Sequence, residues 1–262
     1  MKNRFLTLLY HLVLVPKCAS CRKRLDPIIQ ADHLNHGKIC LCSNCLEEWQ
    51  HAKSQMCHVC YMSADKCFCM PKAKTFDQPY IPSLFFYHPD VKRPANKVLY
   101  TAKRHNVPEL FDFLSIELEP NVRSLLKDLG VPEKDCILSW IPRGKRSIRQ
   151  HGVDQAYELC RCLSVRLDCA QMQPLLVRSK RGQEQKHLDK RERQKNIDRS
   201  IALNKSYATE SVLKGKTVII VDDIVTTGAT MKRAISLISS AGAERVLTCC
   251  VARSEIKGKK QP

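Results

Sequence analysis

The chain has 262 residues, of which 44% are hydrophobic, and its 44 lysines and arginines against 26 acidic residues give a formal net charge of +18. This length and apolar fraction exclude a largely disordered chain and allow either one large domain or two small ones. The strongly basic balance favours polyanionic partners, nucleic acid or a phosphorylated substrate, without choosing between them.

The first fifteen residues resemble the start of a secretory signal, because Lys2 and Arg4 precede an apolar run from Phe5 to Val15. The small residues of a cleavage site are missing before Cys18, and the run is too short to span a bilayer. We therefore expect an amphipathic helix that ends at Pro16 and packs on the protein, with membrane association as the alternative. No other segment is a transmembrane candidate, so we expect a cytoplasmic protein, at most peripheral at the inner face of the membrane.

The next segment is rich in cysteine, and eight of its cysteines form closely spaced pairs. Three pairs have C-x-x-C spacing and one has C-x-C spacing: Cys18/Cys21, Cys42/Cys45, Cys57/Cys60 and Cys67/Cys69. A C-x-x-C turn presents two sulfurs at the separation that tetrahedral Zn²⁺ needs, and two such turns complete a four-cysteine site. We therefore predict two zinc ions, one held by Cys18, Cys21, Cys42 and Cys45 and the other by Cys57, Cys60, Cys67 and Cys69.

The ligand pairing at these sites has alternatives. Cys40 could replace Cys42, and a nearby histidine could stand in as a ligand: His33, His36, His51 or His58. Disulfides would need an oxidising compartment, and the spacing suits an iron–sulfur cluster less well than zinc. Because all-sulfur sites leave no open position for water, we expect the zinc ions to be structural and the segment to need them to fold.

Prolines separate this segment from the remainder of the chain, at Pro71, Pro79 and Pro82. We predict two domains, an N-terminal helix with a double zinc ribbon over residues 1–78 and a larger domain over residues 79–262.

In the larger domain, strands are predicted at 84–87, 136–141, 218–221 and 245–251, and helices at 95–104, 108–129, 152–167 and from about residue 230, with Pro120 beginning a new helix. This alternation predicts an α/β fold whose parallel sheet is flanked by helices.

The segment from Thr217 to Thr230 carries the most specific chemistry. A buried strand is predicted to end at Asp222 and Asp223, whose carboxylates can accept hydrogen bonds from a vicinal diol. A loop of small residues follows, and it opens a helix whose N–H groups can hold a phosphate: Thr226, Thr227, Gly228, Ala229 and Thr230. A diol beside a phosphate indicates a ribose 5-phosphate. The chain lacks the glycine patterns of dinucleotide-binding and P-loop proteins here.

The segment from Val218 to Thr230 resembles the signature of the type I phosphoribosyltransferases, which bind phosphoribosyl pyrophosphate (PRPP) with Mg²⁺. The resemblance implies that the two aspartates hold the ribose hydroxyls and that the loop at 226–230 cradles the 5-phosphate. It also implies that a basic turn after the strand at 136–141 binds pyrophosphate, through Arg143, Gly144, Lys145 and Arg146. Salvage enzymes for 6-oxopurines carry an aspartate at the position of Thr226, which argues against that substrate class.

A double zinc ribbon before such a domain resembles the ComF/GntX family, which is associated with late competence and DNA uptake. Further motifs support the resemblance: residues 152–156 resemble R-G-F-N-Q-A without its first arginine, residues 185–188 and 193–196 match Q-x-x-L and R-x-x-N, and Val251-Ala252-Arg253 ends the last strand. His151, Val153 and Asp154 replace the usual Arg, Phe and Asn. The basic segment between Arg178 and Arg199 is either a hood over the active site or an ordinary solvated helix or loop.

The ComF resemblance implies a protein that binds PRPP-Mg²⁺ and acts in DNA uptake or natural transformation. Its implied partners are single-stranded DNA and a helicase or another competence protein. One alternative is a non-enzymatic protein that uses the fold as a scaffold for single-stranded DNA, although 6% aromatic residues offer few stacking platforms. The other alternative is a nucleobase phosphoribosyltransferase that acts outside 6-oxopurine salvage. Turnover of PRPP and the identity of the acceptor stay open at this point.

Overall fold

The computed structural model describes residues 17–25, 40–57, 63, 64, 67, 82–88, 93–105, 107–169, 171–178 and 200–254. The predicted N-terminal helix, the proline-rich linker up to residue 81 and the basic segment beyond residue 178, with the motifs at 185–188 and 193–196, lie outside the described residues. No helix in the described part of the chain is long and apolar enough to cross a lipid bilayer.

Helices and strands alternate along the described chain. In order they are α1 (Ser43–Ser54), β1 (Phe85–Tyr87), α2 (Pro94–Arg104), α3 (Pro108–Asp128), β2 (Cys136–Trp140), α4 (Lys145–His151), α5 (Gln155–Arg166), β3 (Gln171–Met172), β4 (Leu176–Arg178), β5 (Ile201–Leu203), α6 (Glu210–Leu213), β6 (Thr217–Val225), α7 (Ala229–Ser240) and β7 (Arg245–Ser254). A short 3₁₀ turn, Glu133–Asp135, precedes β2.

Five of the strands form one parallel sheet in the order β1-β7-β6-β2-β3, and β4 and β5 form a separate antiparallel pair. Helices cover both faces of the sheet, so the predicted α/β fold class is confirmed. Along the chain, β2 leads outward to β3 in one direction, whereas β6 leads outward to β7 in the other. The strand order therefore reverses between β2 and β6, and ligands of open parallel sheets bind in the crevice at such a point.

Strand β6 lies at the centre of this sheet and is buried on both faces. Ile219 and Val221 pack in the core that α3 and α5 cover, whereas Val218 and Ile220 pack in the core under α7. Side chains alternate across a strand, so a continuous run of apolar residues fits only a strand with cores on both sides.

Two boundaries differ from the sequence-based expectation. Helix α3 continues through Pro120, where a new helix was predicted. Pro120 is exposed, and Leu118 and Val122 on either side of it are buried in the core. We attribute the continuity to this burial, which offsets the hydrogen bond that the proline cannot donate. The basic turn after β2 leads directly into helix α4, and Gly152 in the left-handed conformation (φ 73°) separates α4 from α5.

The front segment shares a hydrophobic core with the sheet domain. Trp49 of α1 is fully buried, with its ring 5.1 Å from the ring of Phe85 and 5.5 Å from that of Phe113. Its indole Nε1 donates to the Glu117 carboxylate at 2.9 Å, and Lys53 Nζ contacts the same oxygen at 2.6 Å. The indole N–H of Trp49 therefore has a hydrogen-bond acceptor although the ring is buried among apolar side chains.

The turn at Cys18 and Cys21 is attached to both ends of helix α2. Near the beginning of the helix, Ser20 Oγ donates to the Pro94 carbonyl at 3.1 Å. Near its end, Thr101 Oγ1 donates to the Ala19 carbonyl at 2.5 Å. Helix α2 is therefore positioned by the cysteine-rich segment as well as by the sheet.

We expect Trp49→Ala to lower the free energy of unfolding by about 3 to 5 kcal/mol, because it removes a large fully buried ring and leaves the Glu117 carboxylate without that donor. Urea unfolding monitored by circular dichroism measures the loss. Tyr207→Ala, which truncates an aromatic ring that is 46% exposed, is the control and should change stability by less than about 1 kcal/mol. Equal effects of the two substitutions would contradict the shared core.

Candidate functional site

The two predicted diol-binding carboxylates lie near the carboxyl end of β6. The strand continues to Val225, so Asp222 and Asp223 stand inside its second half and do not end it, as the sequence suggested. The Asp222 carboxylate accepts the Asp223 N–H at 2.9 Å, and the Asp223 carboxylate accepts the Ile224 N–H at 2.8 Å. These local bonds fix both carboxylates at the crevice where the strand order reverses.

A lysine that the sequence pattern did not assign to the site contacts this pair. Lys103 Nζ lies 3.7 Å from Asp223 Oδ2, although the two residues are far apart in the chain. The only sequence signal was a basic residue in the last turn of a predicted helix. The juxtaposition with Asp223 depends on the tertiary packing of α2 against the sheet.

The acid pair is electrostatically strained. Burial of the Asp222 carboxyl and the adjacent negative charge of Asp223 raise the pKa of Asp222 well above its ordinary value, while the charge of Lys103 acts in the opposite direction. A carboxyl whose pKa is shifted by burial and by a neighbouring charge, and which lies in a crevice, is a candidate functional group.

The predicted phosphate loop lies directly after the acid pair. Thr226 and Thr227 are exposed, and Gly228 adopts the left-handed conformation (φ 71°) that lets the chain turn into α7. The Thr227 hydroxyl accepts the Ala229 N–H at a long 3.4 Å, and no side chain caps the helix. The first N–H groups of α7, including that of Thr230, are therefore oriented to receive an anion.

The predicted pyrophosphate turn lies at the carboxyl end of β2, across the crevice from the acid pair. Gly144 precedes α4, and the side chains of Lys145 and Arg146 are exposed in its first turn. Arg143 is engaged within the protein, because its Nη1 donates to the carbonyls of Lys103 and Val153, each at 3.4 Å.

The motif at 152–156 holds this turn in place. The Asp154 carboxylate accepts the Arg143 N–H at 3.0 Å and caps α5 by accepting the Tyr157 N–H at 3.3 Å. Gln155 is buried, and its Nε2 donates to the carbonyls of Ala102 and Lys103 at 3.3 and 3.2 Å. The motif thus ties the basic turn to the end of α2. Asp154 and Gln155 have a structural role here, because they hold the turn by hydrogen bonds.

The first predicted metal site is assembled in the structure. Its four sulfurs lie within 4.8 Å of one another, on Cys18, Cys21, Cys42 and Cys45. Two of them, the Sγ atoms of Cys21 and Cys42, are 3.6 Å apart. Tetrahedral Zn²⁺ with Zn–S bonds of about 2.3 Å separates its sulfurs by about 3.8 Å, so the four cysteines fit this ion.

The structure also distinguishes Cys42 from Cys40 as the fourth ligand. Cys40 is buried outside the group of four, and its carbonyl accepts the Ala19 N–H at 2.8 Å. Burial raises the pKa of the Cys40 thiol well above its ordinary range. Burial acts in the same direction at Cys18, but backbone hydrogen bonds outweigh it and lower the pKa of that thiol to about 7. Burial also raises the pKa of the Cys21 and Cys45 thiols, so the positions of the four sulfurs, and not the pKa, select Cys42.

The second predicted metal site falls largely outside the described residues. Cys57 and Cys67 are described, whereas Cys60, Cys69 and the histidines at 33, 36 and 58 are not. His51 lies in the last turn of α1 and is not part of the four-sulfur group. The pairing of the second site therefore stays a prediction.

Comparison with known proteins agrees with this geometry. The phosphoribosyl transferase domain family matches residues 148–261. The chain is 28% identical over 165 residues to the DNA utilization protein YhgH of Salmonella typhi and to that of Escherichia coli K12, an overlap that covers 63% of this chain and 70% of each relative.

Solved structures overlap only in part. The purine phosphoribosyltransferase of Pyrococcus horikoshii has a TM-score of 0.33 and 19% identity over 57% of this chain and 76% of that one. A hypoxanthine phosphoribosyltransferase of Trypanosoma cruzi has a TM-score of 0.37 and 17% identity over 59% and 73% of the two chains. The fold assignment rests on the strand order of this sheet and not on these overlaps.

Over residues 148–261 the chain is therefore similar to phosphoribosyl transferase domains, and the acid pair and the loop at 226–230 lie within that stretch. A group of four cysteines that could hold a metal ion precedes this stretch, and the relatives that match 63% of the chain are DNA utilization proteins.

We expect Cys21→Ser to lower the zinc content of the purified protein by about one ion per chain, because three thiolates and a hydroxyl hold the metal poorly. Cys40→Ser is the matched control and should keep the wild-type zinc content. Inductively coupled plasma mass spectrometry measures both. Equal zinc in Cys21→Ser and wild type would contradict the four-cysteine site.

We expect Asp222→Asn to raise the free energy of unfolding at pH 7. The folded-state pKa of Asp222 is raised, so ionisation of this carboxyl costs more free energy in the folded than in the unfolded protein, and stability falls as pH rises from the unfolded pKa of about 3.9. The gain should shrink as pH falls toward 4, which urea unfolding at both pH values measures. The exposed Asp168→Asn serves as control and should show no such gain. Lower stability of Asp222→Asn at pH 7 would contradict this account.

Proposed function

We propose that the chain binds PRPP with Mg²⁺ in the crevice between the carboxyl ends of β2 and β6. One observation carries the proposal. An acid pair, a glycine in the left-handed conformation and the N-terminus of α7 follow one another within a few residues at this point of the sheet. Carboxylates suit a vicinal diol and an open helix N-terminus suits a phosphate, and the two together match a ribose 5-phosphate.

In this proposal each predicted residue has a distinct role. Asp222 and Asp223 accept hydrogen bonds from the two ribose hydroxyls, and the loop at 226–230 donates its N–H groups and hydroxyls to the 5-phosphate. The diphosphate lies toward the basic turn, where the exposed side chains of Lys145 and Arg146 balance its charge. Mg²⁺, which enters with PRPP, neutralises part of the same charge.

The reaction that such a site supports is transfer of the phosphoribosyl group to a nitrogen nucleophile with release of pyrophosphate. Positive charge develops on the ribose as pyrophosphate leaves, so the protein stabilises the leaving group and excludes water. The acceptor would be a nucleobase outside the 6-oxopurines, since Thr226 stands where those enzymes carry an aspartate. Binding of PRPP is the main part of the proposal, and transfer of the phosphoribosyl group is its second part.

A second candidate function is binding of single-stranded DNA along the same edge. Lys145, Arg146 and Arg149 are exposed on α4, which has no acidic residue in its first turn, and no ion pair within the described part of the chain neutralises them. Basic side chains beside a phosphate site can follow a nucleic-acid backbone. The curated relative's name, DNA utilization protein, favours this candidate.

The wider role we propose is DNA uptake or natural transformation, in the cytoplasm or at the inner face of the membrane, with a helicase or another competence protein as partner. The metal we propose at the four-cysteine site is structural zinc, with a second zinc ion at the following cysteines.

We also propose that the chain has two domains, a front module over residues 1–78 and a phosphoribosyltransferase-like domain over residues 79–262.

Calorimetric titration with PRPP-Mg²⁺ tests the first candidate. We expect the Asp222→Asn/Asp223→Asn double variant to weaken PRPP binding at least about a hundredfold, because two charge-assisted acceptors for the ribose are removed. Glu47→Gln/Asp168→Asn, which changes the same charge at two exposed positions, should bind as the wild type does. Failure of the wild-type protein to bind PRPP would overturn the proposal.

Titration with single-stranded DNA at two salt concentrations tests the second candidate function, DNA binding, independently of PRPP binding. Lys145→Ala/Arg146→Ala/Arg149→Ala should weaken DNA binding and reduce its salt dependence, with a slope that falls by about 0.7 for each DNA phosphate that the variant no longer neutralises. DNA binding that the triple variant leaves unchanged would place the nucleic acid elsewhere on the chain.

A further inference from the structure

Lys103 stands where three separate parts of the candidate site meet. Its side chain contacts Asp223 of the acid pair at 3.7 Å. Its backbone carbonyl accepts a hydrogen bond from Gln155 at 3.2 Å and another from Arg143 at 3.4 Å. A single residue is therefore joined to the acid pair, to the basic turn and to the motif that precedes α5.

The same residue is also connected to the metal-competent cysteines. Two positions earlier on α2, Thr101 is buried, and its hydroxyl donates to the Ala19 carbonyl at 2.5 Å. Ala19 lies between Cys18 and Cys21, two members of the four-sulfur group. The turn that would hold the metal thus fixes the last turn of the helix that carries Lys103.

We infer that Lys103 is a positioning residue of the phosphoribosyl site, and that the four-cysteine turn holds it in place through helix α2. The inference rests on the proposed function, because it concerns how the acid pair receives a phosphorylated ribose. Lys103 places a positive charge against Asp223 and so keeps two adjacent carboxylates available as acceptors for a diol.

The charges around the pair explain why such a residue is needed. Asp222 and Asp223 repel each other, and Asp154 adds a third carboxyl within electrostatic reach of Asp223. Two thiols of β7, those of Cys249 and Cys250, also lie near Asp222. A thiol has no positive charge and therefore does not balance the charge of the carboxylates. The cations near these groups include Arg143, whose charge acts on Asp154, Arg253 of β7, whose charge acts on Cys250, and Lys103, which contacts Asp223 of the pair. Loss of the Lys103 ammonium leaves the ionised pair without its direct counter-charge.

The test is the dissociation constant of PRPP-Mg²⁺ between pH 5 and pH 8 for four proteins: wild type, Lys103→Met, Lys103→Arg and Lys97→Met. Lys97 is exposed on the same helix, so its variant removes the same charge away from the crevice. Lys103→Met should weaken binding about tenfold at pH 7, which corresponds to about 1.4 kcal/mol. It should also move the acidic limit of binding to higher pH, because the charge of Lys103 opposes the rise in the pKa of Asp222.

Lys103→Arg should restore most of the affinity and the wild-type pH profile, and Lys97→Met should leave both unchanged. Equal affinity and an equal pH profile for Lys103→Met and Lys97→Met would overturn the inference while the proposed function stands. Absence of PRPP binding by the wild type would overturn the proposed function and the inference with it. The Lys103 side chain is 35% exposed, and urea unfolding checks that Lys103→Met keeps its fold.

A second set of variants tests the connection to the cysteine turn. Thr101→Val removes the hydrogen bond to Ala19 and leaves all four cysteines in place, so zinc content should stay unchanged while PRPP affinity falls about threefold. Thr217→Val, at the buried amino end of β6, is the matched control and should bind as the wild type does.

In a Lys103→Met background, Thr101→Val should have no further effect on affinity, because its effect passes through Lys103. A threefold loss that persists in this background, or that Thr217→Val reproduces, would overturn the connection.

Discussion

Two adjacent carboxylates in the second half of a buried parallel strand impose the constraint on which the other features of the site depend. Neither Asp222 nor Asp223 can be buried unpaired in the flanking apolar cores, so both are held at the crevice between β2 and β6 by the N–H groups that follow each of them. The desolvation of Asp222 is tolerable because a backbone donor and the charge of Lys103 lie close to the pair. The phosphate loop and the basic turn are placed by the same strand ends.

This arrangement makes the cysteine-rich segment part of the site's support. Trp49 enters the core of the sheet domain, and the turn around Ala19 is bonded to α2. The Ala19 carbonyl accepts a hydrogen bond from Thr101, which precedes Lys103 by two residues on α2. A metal ion at the four cysteines would have no open coordination position for chemistry, and its contribution to the acid pair would be to hold the turn that contacts α2.

Much of this could be predicted from local pattern. The β-branched run at 218–221 predicted a central parallel strand, and the C-x-x-C spacing predicted the four-sulfur group that the structure assembles. Local pattern was wrong at Pro120, where burial of neighbouring residues carries the helix through a proline, and at the end of β6, where pairing with β7 continues past the aspartates. The assignment of Arg143 to a pyrophosphate ligand stays a prediction, and in the structure its Nη1 donates to the carbonyls of Lys103 and Val153.

The sequence by itself determined the succession of the acid pair and the small-residue loop, and the spacing within each cysteine turn. In both cases the groups lie within a few residues of one another, so local geometry sets their separation. Only the tertiary structure decided that Cys42 and not Cys40 joins the group of four neighbouring sulfurs, and that Lys103 contacts Asp223. Both outcomes depend on how α1 and α2 pack against the sheet, and packing between segments distant in the chain leaves no periodic signal in the sequence.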